Sequence, residues 1–180
     1  MIYRLSDTPV LETDRLILRA PHGGDAAGIA DYFMSQRSQY TGGPVAADVA
    51  WRYAATEIGH WAIRGFGMFA VTEKGGDDTC LGVVGAWFPE GWPEREVGWL
   101  LWPAAEGKGY GFEAARAALG YVLNDLGWDS AVSYIDRNND RSVALAKRLG
   151  AQLDPTAVAP EDKEDFVYRH TLATLSEAAR

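Results

Sequence analysis

The chain is organised around residues 96–114, which read Glu96-Val-Gly-Trp-Leu-Leu-Trp-Pro-Ala-Ala-Glu-Gly-Lys-Gly-Tyr-Gly-Phe-Glu-Ala114. This pattern predicts a strand, a proline-marked exit, a glycine-rich turn and the start of a helix. From residue 112 the apolar residues recur at intervals of three and four, the spacing of one helical stripe. They are Phe112, Ala115, Leu119, Val122 and Leu126. Gly127 follows at the position where glycine commonly ends a helix.

The glycine-rich turn has the chemistry of a phosphate-binding loop. Gly107, Gly109 and Gly111 occupy alternate positions, so the backbone can turn with few Cβ clashes. Their N–H groups can converge at the helix N-terminus, where the helix dipole favours an anion. Lys108 adds a cation where it could meet a phosphate. The turn therefore predicts an anion site, with a purely structural turn as the alternative.

The turn can be compared with two common phosphate motifs. It is not a P-loop, because no Ser or Thr follows the lysine and the glycine spacing differs. Residues 109–114 do satisfy the loose G-x-G-x-x-A form of the dinucleotide-binding fingerprint. That fingerprint usually opens a βαβ unit, whereas strand-like runs without a long helix between them precede this turn. A dinucleotide-binding domain is therefore the weaker alternative.

Composition and charge are those of an ordinary globular protein. The 180 residues, 47% hydrophobic and 23% charged, suit one domain over residues 1–180. The net charge of −8 disfavours nucleic-acid binding and is compatible with a cationic substrate such as an amine. Cys80 is the only cysteine, which excludes an intrachain disulfide and a cysteine-rich metal site, and we expect no metal. No signal-peptide or membrane-spanning run is present, so we expect a cytoplasmic protein with no membrane partner.

The rest of the chain predicts two helices and an antiparallel meander. Alternation at residues 10–20 predicts a first strand, with Leu16 and Leu18 on one face. Asp25 and Asp48 are expected to cap helices that run to about residues 33 and 64. The apolar side of the second helix would be Trp51, Ala54, Ala55, Ile58 and Ala62. Further strands are expected at residues 67–73, 81–88, 95–102, 130–135 and 166–172, with a helix at 142–149.

Three separate stretches resemble the GNAT superfamily of N-acetyltransferases. Residues 96–111 resemble its fourth strand and acetyl-CoA pyrophosphate loop, closest to the branch that acetylates ribosomal-protein N-termini. Residues 11–19 resemble the opening strand of that branch, and residues 139–150 resemble the second cofactor segment, Asn-x-x-Ser followed by a Lys-Leu-Gly helix end. The resemblance implies a single-domain α/β (α+β) fold. Its mixed, mostly antiparallel sheet of about seven strands would be flanked by helices and splayed between the fourth and fifth strands.

The resemblance also implies an acetyl-CoA site. Its residues would be Trp99, Leu100, Leu101, Glu106, Gly107, Lys108, Gly109, Tyr110, Gly111, Asn139 and Ser142. Gly98 suggests the bulge or close backbone approach that splays the family's strand and admits the pantetheine arm. Glu106 departs from the Gln or Arg of the family, and a carboxylate aimed at a pyrophosphate is repulsive. Either Glu106 turns outward, or the affinity for acetyl-CoA is weakened.

Acetyl transfer to an amine also needs a base and an acceptor site. An alkylammonium with a pKa of about 10 must lose a proton before attack, and Glu96 is the candidate base. Tyr32, Tyr40, His60 and Glu90 are the candidate acceptor-side residues, and the last two are rival bases. Ser142 is the candidate proton donor to the departing thiolate, and water is the alternative.

These residues predict an acetyl-CoA-dependent N-acetyltransferase. The acceptor would be a primary amine, either a protein N-terminus or a small amine, which attacks directly in a ternary complex. A non-catalytic acyl-CoA-binding domain is the main alternative, and the dinucleotide-binding domain is the weaker one. The sequence does not decide between a monomer and a homodimer.

Overall fold

The computed structural model describes residues 5–160 and 164–178 as one sheet flanked by helices. The strands are β1 (Leu11–Glu12), β2 (Leu16–Arg19), β3 (Met68–Glu73), β4 (Gly82–Trp87), β5 (Glu96–Leu101), β6 (Ala131–Ile135), β7 (Gln152–Leu153) and β8 (Phe166–His170). The helices are α1 (Ala26–Met34), α2 (Ala47–Arg64), α3 (Tyr110–Gly120), α4 (Asp140–Arg148) and α5 (Leu172–Glu177). Expectations for residues 1–4, 161–163 and 179–180 of the single domain lie outside the described residues.

The sheet is mixed and mostly antiparallel. Its order is β1-β2-β3-β4-β5-β6-β8-β7, and only the β5–β6 pair is parallel. The predicted fold class is confirmed, with eight strands instead of about seven. The predicted strand at residues 10–20 is two short strands, because Thr13 N–H donates to the Leu16 carbonyl at 3.0 Å across a tight turn.

The sheet opens between β5 and β6. β5 pairs with β4 along its whole length, but its only registered partner on β6 is Val132, opposite Glu96. The Ser133 hydroxyl donates to the Val97 carbonyl at 2.6 Å and so satisfies a backbone acceptor that the parallel ladder leaves unpaired. This is the predicted splay, at the fifth and sixth strands of this chain.

The suggested bulge at Gly98 is absent from the β4–β5 ladder. Gly98 lies directly opposite Gly85, and the pairing continues without interruption on both sides. Gly98 instead approaches the end of the Met68 side chain closely, since an added Cβ would lie 2.7 Å from its methyl group and the methyl would have to move. The splay therefore arises where β6 diverges from β5 after the Glu96 pairing, without an extra residue in β5.

Helix α3 confirms the predicted apolar stripe. Ala115, Leu119 and Val122 are fully buried against the sheet. The helix begins at Tyr110, two residues before the start of the stripe, and widens over Tyr121–Asp125 before Gly127 ends it with a φ of +66°. The glycine-rich turn is thereby fixed at the open edge of β5.

The predicted apolar side of α2 is mostly wrong: of its five residues only Ala54 is buried, and Ile58 is half-buried. Trp51 is 66% exposed, and Ala55 and Ala62 are also exposed. The buried side is instead Ala50, Ala54, Glu57, His60 and Trp61. These positions do have helical spacing, but two of them are polar, so counting apolar residues selects the wrong face. As a result, a carboxyl and an imidazole enter the interior.

The two predicted helix caps also differ. Asp25 precedes α1, but its carboxylate accepts hydrogen bonds from the Arg19 guanidinium at 2.8 Å and 3.0 Å and makes no capping bond to the helix. Asp48 lies inside the first turn of α2, which begins at Ala47, and pairs with Arg52. In the described part of the chain no helix combines the length and apolarity needed to cross a bilayer.

Candidate active site

Two adjoining cavities lie along the open edge of β5. The first, which we call the aromatic cavity, measures about 450 Å³ and is walled by rings that include Phe33, Tyr53, Trp87, Trp92 and Tyr134. The second, the loop cavity, measures about 580 Å³ and is bounded by the glycine-rich turn. Six residues line both: Tyr40, Thr41, Trp99, Leu100, Asn139 and Ser142. The two cavities therefore form one continuous cleft.

The glycine-rich turn has the backbone geometry of an anion site. Gly107 and Gly109 have φ values of +72° and +79°, the left-handed region in which a side chain is strained. Gly109 directly precedes α3, so the helix N-terminus opens into the loop cavity. At Gly111 an added Cβ would lie 2.9 Å from Leu101 Cδ1, so a side chain at this position would fill the space between the turn and β5.

Glu106 lies between two arginines. Arg37 Nη2 and Arg141 Nη2 both pair with its carboxylate, the latter at 3.1 Å. Burial acts to raise the pKa of Glu106, but hydrogen bonds from Arg141 and Arg37 outweigh it and hold the pKa below its usual value. The carboxylate therefore remains ionised, and its charge is compensated by cations that sequence reasoning missed. Arg37 lines the loop cavity, and its buried Nε has no hydrogen-bond partner among the described residues.

Lys108 does not line the loop cavity. Its ammonium lies 5.5 Å from the centroid of the Tyr110 ring, and its carbonyl accepts a hydrogen bond of 2.9 Å from Arg15. Arg15 also pairs with Glu113 on α3, Nη2 to Oε2, at 2.6 Å. These contacts hold the turn against β2, and the cations on the loop cavity are Arg37 and Arg141.

The second predicted cofactor segment meets β5 across the cleft. Trp99 Nε1 donates to Ser142 Oγ at 3.1 Å. The Asn139 side chain accepts from the Ser142 backbone N–H at 3.2 Å and caps α4. Leu100 and Leu101 line the loop cavity beside them. Residues from two of the predicted segments, 96–111 and 139–150, are thus brought to one cleft.

Glu96 lines the aromatic cavity, at the end of β5 that still pairs with β6. Its Oε2 accepts a hydrogen bond of 2.8 Å from Trp92 Nε1. The parallel pairing with Val132 fixes the backbone at the same residue. The carboxylate is therefore oriented on the cavity wall, which suits a base.

Glu57 on α2 is a cavity residue that the sequence analysis missed. It is 4% exposed, it lines the aromatic cavity, and its Oε2 has no hydrogen-bond partner in the described ranges. Burial, with the nearby charge of Glu96, raises the pKa of Glu57 to about 8. The signal that could have found it was the spacing of residues 50, 54, 57 and 61, which places a glutamate on the buried stripe.

Two of the four predicted acceptor-side residues line the cleft, and the other two, His60 and Glu90, do not. Tyr40 lines both cavities, and Tyr32 lines the loop cavity. The structure places His60 outside the cleft: Nδ1 lies 2.7 Å from the Phe66 carbonyl, and Nε2 accepts from the Phe88 N–H at 3.0 Å.

Neither predicted rival base is placed to act on the cleft. Burial lowers the pKa of His60, so its imidazole is neutral and both ring nitrogens are held by backbone groups. Glu90 has a 99% exposed side chain that pairs with Arg64 at 3.1 Å, and it lines neither cavity. In the described ranges no group of three or more His, Cys, Asp or Glu side chains is arranged to hold a metal ion.

Known proteins include a matching family and structures similar to this chain. A family model described as "Acetyltransferase (GNAT) domain" matches residues 15–152. An acetyltransferase from Agrobacterium tumefaciens str. C58 is similar in structure, with a TM-score of 0.84 and 34% identity over 93% of this chain and 97% of that chain.

Two more distant structures are similar in fold. A Bordetella pertussis protein described as a GnaT-family acetyltransferase has a TM-score of 0.72 and 24% identity over 91% of this chain and 99% of that chain. RimL, a ribosomal L7/L12 alpha-N-protein acetyltransferase in complex with coenzyme A, has a TM-score of 0.69 and 16% identity over 92% of this chain and 99% of that chain.

Proposed function

Because the chain belongs to the GNAT acetyltransferase family, whose members transfer acetyl from acetyl-CoA, we propose that it acetylates a primary amine in the cleft along β5. One observation carries the proposal: the loop cavity is lined by arginines and a helix N-terminus, and the adjoining aromatic cavity by carboxyls and rings. An anionic cofactor and a cationic acceptor can therefore approach the same point from opposite sides. The acceptor is either a small amine or a protein N-terminus.

The residues of the loop cavity suit the phosphates of acetyl-CoA. Gly107 and Gly109 are exposed on the loop cavity, where their backbone can face a pyrophosphate, and the guanidinium groups of Arg37 and Arg141 add positive charge. When bound, acetyl-CoA supplies an acetyl group activated as a thioester. Backbone groups of residues 99–101 lie on the cleft wall where the sheet is unpaired on one side.

Glu96 is the base in this proposal. An alkylammonium is mostly protonated at neutral pH and becomes nucleophilic only after it loses a proton. The Glu96 carboxylate lies on the aromatic cavity and is held by the indole of Trp92, so it is positioned to take that proton directly or through water. Ser142 lies where the two cavities meet and can return a proton to the thiolate, although water can do so as well.

Neither alternative gains support. A Glu106 carboxylate aimed at a pyrophosphate would weaken cofactor binding, but here this carboxylate is paired with two arginines. The dinucleotide alternative has no support from family membership.

The proposed function is tested by mixing the protein with acetyl-CoA and a panel of acceptors. The panel contains phenethylamine, spermidine and peptides with free N-termini, and the release of the CoA thiol is measured against a control without acceptor. Calorimetric titrations with acetyl-CoA and NADH run in parallel. We expect acetyl-CoA binding, no NADH binding and amine-dependent thiol release. Binding without release for any acceptor would leave an acyl-CoA-binding domain.

A further inference from the structure

We propose that Glu57 binds the amino group of the acceptor, and that it selects primary amines that carry no carboxylate next to the amine. The inference rests on the proposed function, because it assigns the aromatic cavity to the acceptor. Glu57 is a specificity-determining residue in this proposal, and Glu96 remains the base.

The position of Glu57 requires a partner that the described residues do not supply. Its side chain is buried in the middle of α2 and lines the aromatic cavity, and its Oε2 is buried without a hydrogen-bond partner among the described residues. A buried polar atom without a partner costs free energy comparable to a lost hydrogen bond. An ammonium group has three N–H donors and a charge, so it would satisfy this oxygen when it enters the cavity.

The rest of the cavity has a matching chemistry. Among the described residues that line it, no side chain is basic, and four carry carboxyl groups: Glu57, Glu96, Asp136 and Asp165. The rings of Tyr53, Trp87 and Trp92 also line it, and aromatic faces attract ammonium ions. A carboxylate beside the amine, as in a free amino acid, would be placed among like charges. A simple amine or a peptide N-terminus lacks that group.

Binding would change the protonation of Glu57. The titratable groups that face this cavity are Glu96 from β5, Tyr53 from α2, Tyr134 from β6, Tyr40 from the turn after α1, and Asp136 and Asp165 from loops. With a pKa of about 8, Glu57 is mostly protonated in the free protein at neutral pH. An ammonium favours the ionised form, so Glu57 releases its proton to solvent as the acceptor binds, and the acceptor nitrogen later gives its own proton to Glu96.

The test compares Glu57→Gln with the wild-type protein. Glutamine keeps the shape and can accept a hydrogen bond, but it cannot ionise. Binding of phenethylamine, with and without CoA, is followed from pH 6 to pH 9 by the fluorescence of tryptophans, three of which line the cavity. Glu12→Gln, an exposed carboxylate on β1 that pairs with Lys74, is the matched control. Circular dichroism checks folding of each variant.

We expect the dissociation constant of phenethylamine to be at least tenfold higher for Glu57→Gln at pH 8.5. The ratio of the variant's dissociation constant to that of the wild type should grow between pH 6 and pH 8 and then level off. Only the wild-type side chain must lose a proton to bind the amine, so only its affinity improves as the pH rises. Acetyl-CoA affinity should be unchanged, and phenylalanine, the carboxylated counterpart, should bind wild type at least tenfold more weakly than phenethylamine.

Other results overturn the inference. The inference fails if both proteins bind the amine equally, if neither binds it, or if the ratio of their dissociation constants does not change with pH. A change confined to acetyl-CoA affinity would show that Glu57 has a structural role. Glu57-dependent amine binding without acetyl transfer to any amine would overturn the proposed function alone. Phenylalanine binding as tightly as phenethylamine would overturn the stated selectivity.

Discussion

Trp99 Nε1 on β5 donates a hydrogen bond of 3.1 Å to Ser142 Oγ on α4, across the gap where β5 and β6 separate. This contact lies where the loop cavity and the aromatic cavity meet. It therefore joins the β5 wall of the cleft to the α4 wall at the point where the two cavities meet.

Replacing Ser142 by Ala removes this hydrogen bond. We expect the free energy of unfolding to fall by about 1 kcal/mol. We expect kcat to fall less than tenfold, because a thiolate whose conjugate acid has a pKa of about 8.5 leaves fairly well without an acid. Thermal unfolding and steady-state acetyl transfer measure the two effects. A loss of kcat above a hundredfold would instead make Ser142 the required proton donor.

Gly111→Val should weaken acetyl-CoA binding at least tenfold, or about 1.4 kcal/mol. The new Cβ would press on Leu101 Cδ1, and the side chain would narrow the loop cavity. Gly120→Val is the matched control, since it lies on the same helix and an added Cβ there meets nothing within 4 Å. Calorimetry with acetyl-CoA compares the two. Unchanged affinity in folded Gly111→Val would remove the turn from the cofactor site.

Glu106→Gln should leave acetyl-CoA affinity equal or make it tighter. The substitution frees Arg37 and Arg141 from a carboxylate and removes a negative charge from the loop cavity. Arg141→Gln should weaken binding about fivefold or more, because one charge-assisted contact is lost. Dissociation constants at two salt concentrations test both variants. A large loss of affinity in Glu106→Gln would mean that the two ion pairs are needed to shape the cavity.

Glu96→Gln should lower the rate of acetyl transfer about 10²–10⁴-fold at neutral pH, with little change in acetyl-CoA affinity. The defect should shrink as the pH approaches the pKa of the amine, since more of the acceptor is then already neutral. Rates of acetyl transfer by both proteins, measured from pH 6 to pH 10, test this expectation. A loss that is the same at every pH would indicate a positioning role, and a wild-type rate would exclude Glu96 from catalysis.

Glu57→Gln should stabilise the free protein, and more so as the pH rises. The pKa of Glu57 is raised from 4.5 to about 8, so between these values the folded state holds a proton that the unfolded state has lost. Wild-type stability therefore falls across this window by about 1.4 kcal/mol per pH unit at most, and levels off above it. Urea unfolding of both proteins at pH 5, 7 and 9 measures the difference. A constant difference would mean that Glu57 ionises normally in the fold.

The fold was largely predictable because its signals are local. The 3-4 spacing from Phe112 to Leu126, ended by a glycine, predicts α3, and the β-rich runs joined by turns predict the meander of β3, β4 and β5. The glycine-rich turn was predictable for the same reason, since its positive φ values are a property of the residues themselves.

The site was only partly predictable, because its chemistry depends on which residues meet across the fold. Arg37 meets Glu106 across 69 positions of the sequence, and no pattern indicates that pairing. The buried face of α2 was selected by packing against α1 and the sheet, which placed Glu57 in the cleft and His60 in backbone hydrogen bonds. The sequence alone thus determined the strands, the turn and the helix that follows it, through local backbone preferences. Tertiary structure alone decided where the charges lie, because burial and ion pairing are set by neighbours distant in the chain.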